Sequence, residues 1–168
     1  MTPELSLPDR SLLVAASYVI LRRGNEVLLH LRRGTGYLDD HWATLAGHVD
    51  PGESAAEAAS REAMEEAGVR VDQLDLHPLT TLHRFEVGGP QREQRADFFF
   101  EVRDWSGDPH IVEPEKCADM RWFRLDALPH PVVPHELEIL NRLERPGHPG
   151  DMPAILVVRS TGQAGEPC

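Results

Sequence analysis

The stretch from Ser54 to Ala67 constrains this chain more than any other, because both ends of a helix are written into it. Ser54 followed by Glu57 makes a capping box. The run after it is rich in alanine, glutamate and methionine, which favour helix, and Gly68 stands where a left-handed stop is wanted. Laid on a wheel, Ala55, Ala58 and Ala59 form a small apolar stripe that should face the protein. Glu62 and Glu66 continue that stripe within about 20° of Ala55, and Glu65 lies roughly 80° to one side. Like charges four residues apart oppose helix formation by a few tenths of a kcal/mol, and partly burying them costs far more unless cations compensate. The local basic supply is Arg61, which can reach Glu57 and Glu65 at i±4 but stands about 100° from Glu62. A hard divalent cation with oxygen ligands would resolve the excess. An acidic face turned to solvent carries the same pattern.

Around this helix the chain alternates apolar runs with turn signals. Leu12 to Leu21 and Glu26 to Leu31 are expected as strands joined by a turn at Arg23-Gly24-Asn25. A polar loop from Gly34 to His41 follows, then a short strand from Trp42 to Leu45 and a loop from Gly47 to Glu53 holding Pro51-Gly52. Further strands are expected at Leu79 to Val87, Ala96 to Val102, Met120 to Arg124 and Ala154 to Val158, with a second helix from His135 to Leu143. Strands interleaved with two helices predict an α/β (α+β) fold, a mixed sheet with helices on its faces. One domain of 168 residues fits that plan. Its core is expected over about 12–143, with a loose leader at 1–10 and a loosely ordered tail over 146–168.

The formal net charge is −11, which argues against binding a nucleic acid polymer, since that needs a basic footprint. A protein of this charge that handles phosphates must bring cations to them, although a solvated acidic surface is the simpler reason for the charge taken alone. The apolar run from Leu12 to Leu21 is about half a membrane span and carries no signal-peptide flanks. No membrane association is therefore expected. Cys117 and Cys168 fit no metal or disulfide pattern, so reduced thiols and a cytoplasmic location are expected.

The whole segment from Gly47 to Val69 reads GHVDPGESAAEAASREAMEEAGV. Gly47, Glu53, Arg61, Glu62, Glu65, Glu66 and Gly68, with aliphatic Val69, match at every fixed position the box of the Nudix hydrolases, which this chain resembles. The one departure is Ala63, where a larger aliphatic is usual. The resemblance extends more softly over about residues 12–143. It implies a Nudix-type α/β/α sandwich and magnesium, with manganese as the alternative, at Glu62, Glu65, Glu66 and the Gly47 carbonyl. It also implies a structural arginine at Arg61 that orients the glutamates. Glu53 would anchor the loop or orient a metal-bound water. The general base is not fixed in this family: Glu62 is the first choice and Glu53 the second. The stretch from Glu113 to Pro129 is similar to a region of small MutT-type nucleoside triphosphate diphosphatases, where an acidic residue before the tryptophan completes the metal site. Glu115 is the first choice for it and Glu113 the second; a solvated loop carboxylate is the plain alternative for either.

The chemistry implied is hydrolysis of a phosphoanhydride bond in a nucleoside diphosphate derivative by a metal-activated water, with a carboxylate taking the proton. ADP-ribose pyrophosphatases usually carry a proline where this chain has His83 and Arg84. Dinucleoside polyphosphate hydrolases favour a later tyrosine, and none follows Tyr37. The NADH type has a proline- and tryptophan-rich signature and a cysteine zinc site, both absent. Elimination leaves the nucleoside triphosphates, cut to the monophosphate and pyrophosphate. Tyr37, His48, Arg84, Phe85 and Trp122 are candidates to stack on or read a base, and each is as readily scaffold. Arg33, with Arg32 beside it, stands where it could touch a phosphate or simply be solvated. The resemblance alone suggests a homodimer. The rival readings are an ADP-ribose or sugar-nucleotide hydrolase, and a Nudix-fold regulator without turnover; the intact glutamates favour an enzyme. A calcium loop is excluded by the lack of alternating Asp/Asn ligands.

Overall fold

The structure is a computed structural model that describes residues 11–90, 93–144 and 152–161. Its elements run β1 (Val14–Arg23), β2 (Glu26–Arg32), β3 (Trp42–Ala43), β4 (Leu45–His48), α1 (Ala55–Ala67), β5 (His77–Val87), β6 (Arg95–Val102), β7 (Cys117–Arg124), α2 (Pro134–Glu144) and β8 (Ile155–Thr161). The strands join in the order β3-β2-β1-β6-β5-β8, with β4 also paired to β1 and β7 to β2. The β1–β6 and β5–β8 pairs are parallel and the others antiparallel. The sheet is therefore mixed, as expected. Among the described residues no helix is long and apolar enough to cross a membrane.

Alternation along β1 sends side chains to two separate cores. Tyr18 and Ile20 join Leu82, Phe99 and the α2 residues Ile139 and Leu140 on one face. Val19 and Leu21 join Phe100, Val102 and the α1 residues Ala59, Ala63 and Ala67 on the other. Helix, sheet and helix thus stack as three layers. Ala63 is fully buried, and with Ala59 and Ala67 it presents only methyl groups to the sheet. The small residue at this box position belongs to a close helix–sheet contact.

Several boundaries differ from expectation. The run Trp42 to Leu45 is not one strand but breaks at Thr44, whose amide and hydroxyl both donate to Glu136 Oε2, at 2.5 and 2.9 Å. After the break the chain re-pairs with β1 as far as His48, so part of the expected loop is strand. Another strand begins earlier too: β7 starts at Cys117 rather than Met120, held along its length by β2. The last strand, expected from Ala154 to Val158, runs from Ile155 to Thr161 as β8 against β5. The expected leader, Cys168 and the tail after residue 161 lie outside the described residues.

Candidate active site

Helix α1 is fixed at both ends as its sequence requires. Ser54 and Glu57 exchange side-chain-to-backbone bonds, and Gly68 takes φ 67°, passing its N–H to the last carbonyls. The preceding loop is pinned where Val49 N–H meets Ala15 O at 3.0 Å and Asp50 N–H meets Glu53 Oε1 at 2.7 Å. These anchors set α1 across β4, and the glutamates follow the wheel: Glu62 is buried, Glu66 half-buried and Glu65 exposed.

Gly47 and Glu62 are the tightest meeting in the site. A Cβ on Gly47 would stand 1.8 Å from Glu62 Oε1, so only glycine leaves room for the carboxylate. One residue earlier, Ala46 N–H donates to Glu66 Oε2 at 2.9 Å. Burial pushes the Glu66 carboxyl up to about 8, the Ala46 bond opposing the shift and the charges of Glu62 and Glu113 adding to it. Glu62 is raised as well, by burial first, with Arg61 pulling the other way.

Arg61 is the cation at the centre. Its Nη1 donates to Glu62 Oε1 at 2.5 Å and Glu65 Oε2 at 3.1 Å. Its Nη2 donates to Glu53 Oε1 at 2.6 Å and His48 O at 2.9 Å, and its Nε to Glu53 Oε2 at 3.2 Å. The helical wheel gave Arg61 the partners Glu57 and Glu65 and kept it from Glu62. Instead Glu57 is occupied by the cap, and the long side chain folds back to its own neighbour. Arg61 holds the Glu53 carboxyl below the usual range, with help from the Asp50 amide.

Two cavities meet along Arg32, Thr35, Ala46, Gly47 and His48, which line both. The first, about 350 Å³, is acidic, lined by Glu62, Glu65, Glu66 and Glu113 with Arg61 and Lys116. The second, about 370 Å³, is lined by Tyr18, Tyr37, Arg84, Arg95, His135 and Glu136 among others. Together they give a cleft with a carboxylate end and an aromatic, cationic end.

Of the residues expected from the sequence, Gly47, Glu62, Glu65, Glu66 and Arg61 gather at the acidic end, with Glu53 behind Arg61. Tyr37, His48 and Arg84 line the second cavity. Arg33 is not among the lining residues; its guanidinium is taken by Pro114 O, and Arg32 is the arginine at the junction of the cavities. At the acidic end stands Glu113, ion-paired with Lys116 at 2.7 Å, while Glu115 is exposed and away from the lining. Phe85 sits beside His83, ring centroids 5.0 Å apart, and Trp122 stacks with Trp105 at 5.8 Å; neither lines the cleft.

The sequence did not point to Tyr18, Arg95, His135 or Glu136. Tyr18 Oη meets His135 Nε2 at 3.1 Å, and Arg84 and Arg95 flank the buried carboxylate of Asp97 at 2.5 and 3.4 Å. Burial and the cavity arginines depress the His135 imidazole to about 3. Burial raises Glu136 to about 7 against the pull of its Thr44 bonds. The alternation of β6 could have flagged Arg95 and Asp97 as facing one way, but nothing local marks His135 or Glu136.

The donors at the acidic end suit a hard divalent ion. They are all oxygen, Gly47 has given up its side chain to make space, and Glu66 is short of positive partners. Among the described residues no three His, Cys, Asp or Glu side chains already form a cage, and Arg61 Nη1 lies between Glu62 and Glu65 instead.

Comparison with known proteins bears on the family and the fold. The family model described as NUDIX domain matches residues 12–143. A protein named NAD-capped RNA hydrolase NudC from Stutzerimonas stutzeri is 34% identical over 111 residues, 66% of this chain and 36% of the relative. Its namesake from Chromobacterium violaceum is 35% identical over 130 residues, 77% of this chain and 44% of the relative. The chain thus spans under half the length of these relatives. A MutT NUDIX hydrolase structure from Burkholderia pseudomallei superposes with TM-score 0.69 at 24% identity, covering 77% of this chain and 97% of that one. A NUDIX hydrolase from Nitrosomonas europaea gives 0.66 at 19% identity, covering 88% and 80%. With the box helix, its glycine cradle and a matching family model over most of its length, the chain belongs to the Nudix hydrolase family.

Proposed function

We propose that the protein hydrolyses a phosphoanhydride bond in a nucleoside diphosphate derivative, with a nucleoside triphosphate preferred and cut to the monophosphate and pyrophosphate. The observation that carries this is the joined pair of cavities, acidic at the box helix and aromatic and cationic beyond it. A nucleoside fits the second and a polyphosphate the junction, where Arg32 and His48 line both. Magnesium or manganese held by Glu62, Glu65, Glu66, Glu113 and the Gly47 carbonyl would neutralise the phosphates and lower the pKa of water.

The chain's own groups do the rest. Glu62 is the base: it is raised by burial, and its neighbours leave it facing the acidic cavity. Glu53 is poorly suited, since Arg61 and the Asp50 amide occupy both its oxygens. Arg61 positions Glu62 and Glu53 against His48 O and does not touch the reacting bond. Arg84 and Arg95 offer charge to the substrate, and the exposed Tyr37 offers a ring.

The relatives named for NAD-capped RNA favour a second reading, in which the group beyond the diphosphate is a second nucleoside. The residues after the box carry no proline- and tryptophan-rich signature of the NADH type. A panel separates the two: nucleoside triphosphates, ADP-ribose, sugar nucleotides, dinucleoside polyphosphates, NAD and NAD-capped RNA, each with magnesium, beside Glu66→Gln. Turnover of triphosphates at least tenfold above the rest supports the preferred reading. NAD or NAD-capped RNA ahead supports the second. No turnover of any compound returns the chain to a binding role.

A further inference from the structure

Strand β8 (Ile155–Thr161) ends the sheet. Its inner edge pairs with β5 from Thr81–Ile155 to Val87–Thr161 without a register shift, and among the described residues no strand covers its outer edge. Seven residues therefore present an open row of backbone donors and acceptors. Natural edge strands are usually blunted by lysine, proline, a bulge or an inward charge. β8 has no proline, lysine or bulge, and its one charge, Arg159, lies over the Phe85 ring at 5.3 Å.

The side chains are as unguarded as the backbone. Ile155 is 64% exposed and Val157 58%, on the face they share with Thr81 and His83. Val158, on the opposite face, is 38% exposed, and Leu156 packs on the core. Charge singles out the occupant. The chain carries 28 acidic against 17 basic residues, yet residues 152–161 contain no Asp or Glu. Two copies of so acidic a molecule repel each other over most of their surfaces, and along β8 they do not.

We propose that β8 pairs antiparallel with β8 of a second copy across a two-fold axis, giving a homodimer with one continuous sheet. A strand on a two-fold must complement itself, and this one does. With Val157 on the axis, Val157 faces its own image, Leu156 faces Val158 of the second copy, and Ile155 lies beside the stem of its Arg159. Each apolar side chain then gains a cross-strand neighbour and the open backbone row is paired. β8, the edge of the sheet that backs the Arg84 strand β5, becomes an interior strand.

Sedimentation equilibrium tests this on the full chain. The wild type should sediment at twice 18.8 kDa, and Val157→Lys should shift it to the monomer by raising the dissociation constant at least a hundredfold. Hydrogen exchange should show the outer-edge amides of β8 protected at high concentration and released on dilution. A wild type that stays monomeric at millimolar concentration overturns the proposal, including the case where a segment of the same chain protects β8. So does a dimer that survives Val157→Lys. Should that variant precipitate, the concentration dependence of exchange in the wild type decides alone: protection that ignores dilution sinks the dimer.

Discussion

Glu62 stands where a side chain on residue 47 would have to be, its Oε1 lying 1.8 Å from the position of a Cβ built on Gly47. The first glycine of the box is thus a space for a carboxylate, not a hinge. Gly47→Ala should displace Glu62 by an ångström or more, and kcat on the best substrate should fall by about a hundredfold. Overpacking should also cost about 1–3 kcal/mol in urea titration. An alanine variant with near wild-type kcat would mean that Glu62 need not sit where the structure puts it.

Glu66 links metal to pH. Its carboxyl is raised from 4.5 to about 8, so the metal-free folded state holds a proton that the unfolded chain has lost. Stability from this group is whole below about pH 4.5 and drains away as pH climbs to about 8. Glu66→Gln keeps an acceptor for Ala46 N–H and should flatten that part of the melting curve against pH. Magnesium should raise the wild-type Tm most at the alkaline end and the variant's far less. Melting scans from pH 5 to 9 check both, and a wild type whose magnesium response is flat across that range would contradict the account.

Glu113 and Glu115 are separated by one residue and by very different surroundings. Glu113 lines the acidic cavity and adds to the Glu62 and Glu66 shifts, whereas Glu115 is exposed. Glu113→Gln should weaken manganese binding about tenfold in calorimetry, the effect of losing one carboxylate near a hard ion. Glu115→Gln should stay within about twofold, as for a solvated surface charge. The opposite ranking would return the ligand to Glu115.

Arg84 neutralises Asp97, which is fully buried, at 2.5 Å. Arg84→Ala leaves Asp97 with Arg95 at 3.4 Å and should destabilise the fold by about 3–5 kcal/mol, as for a broken buried pair. Arg84→Ala with Asp97→Asn should recover much of that stability while KM stays raised. If the double variant restores KM as well, Arg84 serves the fold and not the substrate.

The box end of the site was legible because its spacing is local: one helix wheel places Glu62 inward, Glu66 beside it and Glu65 outward. For Arg61 the wheel held for Glu65 but not for the rest, since a long side chain is not bound to its own azimuth and bends to reach Glu62 and Glu53. The other cavity was only half legible. Arg84 and Tyr37 stood out by type, but His135 and Glu136 come from a helix start some ninety residues beyond β3, and no local pattern ties them to it. The break at Thr44 was hidden for the same reason, because its cause is Glu136. Between Arg32 and Arg33, strand parity decided: Arg32 reaches the junction and Arg33 turns to Pro114.

The interruption at Thr44 has a mechanical meaning. Thr44 N–H is held by Glu136 from one helix, and Ala46 N–H by Glu66 from the other, at 2.5 and 2.9 Å. Two carboxylates on opposite layers of the molecule therefore grip the same three residues of backbone, like hands on either side of a short rod. The positions of the two helices are therefore set through one short length of main chain that both of them hold.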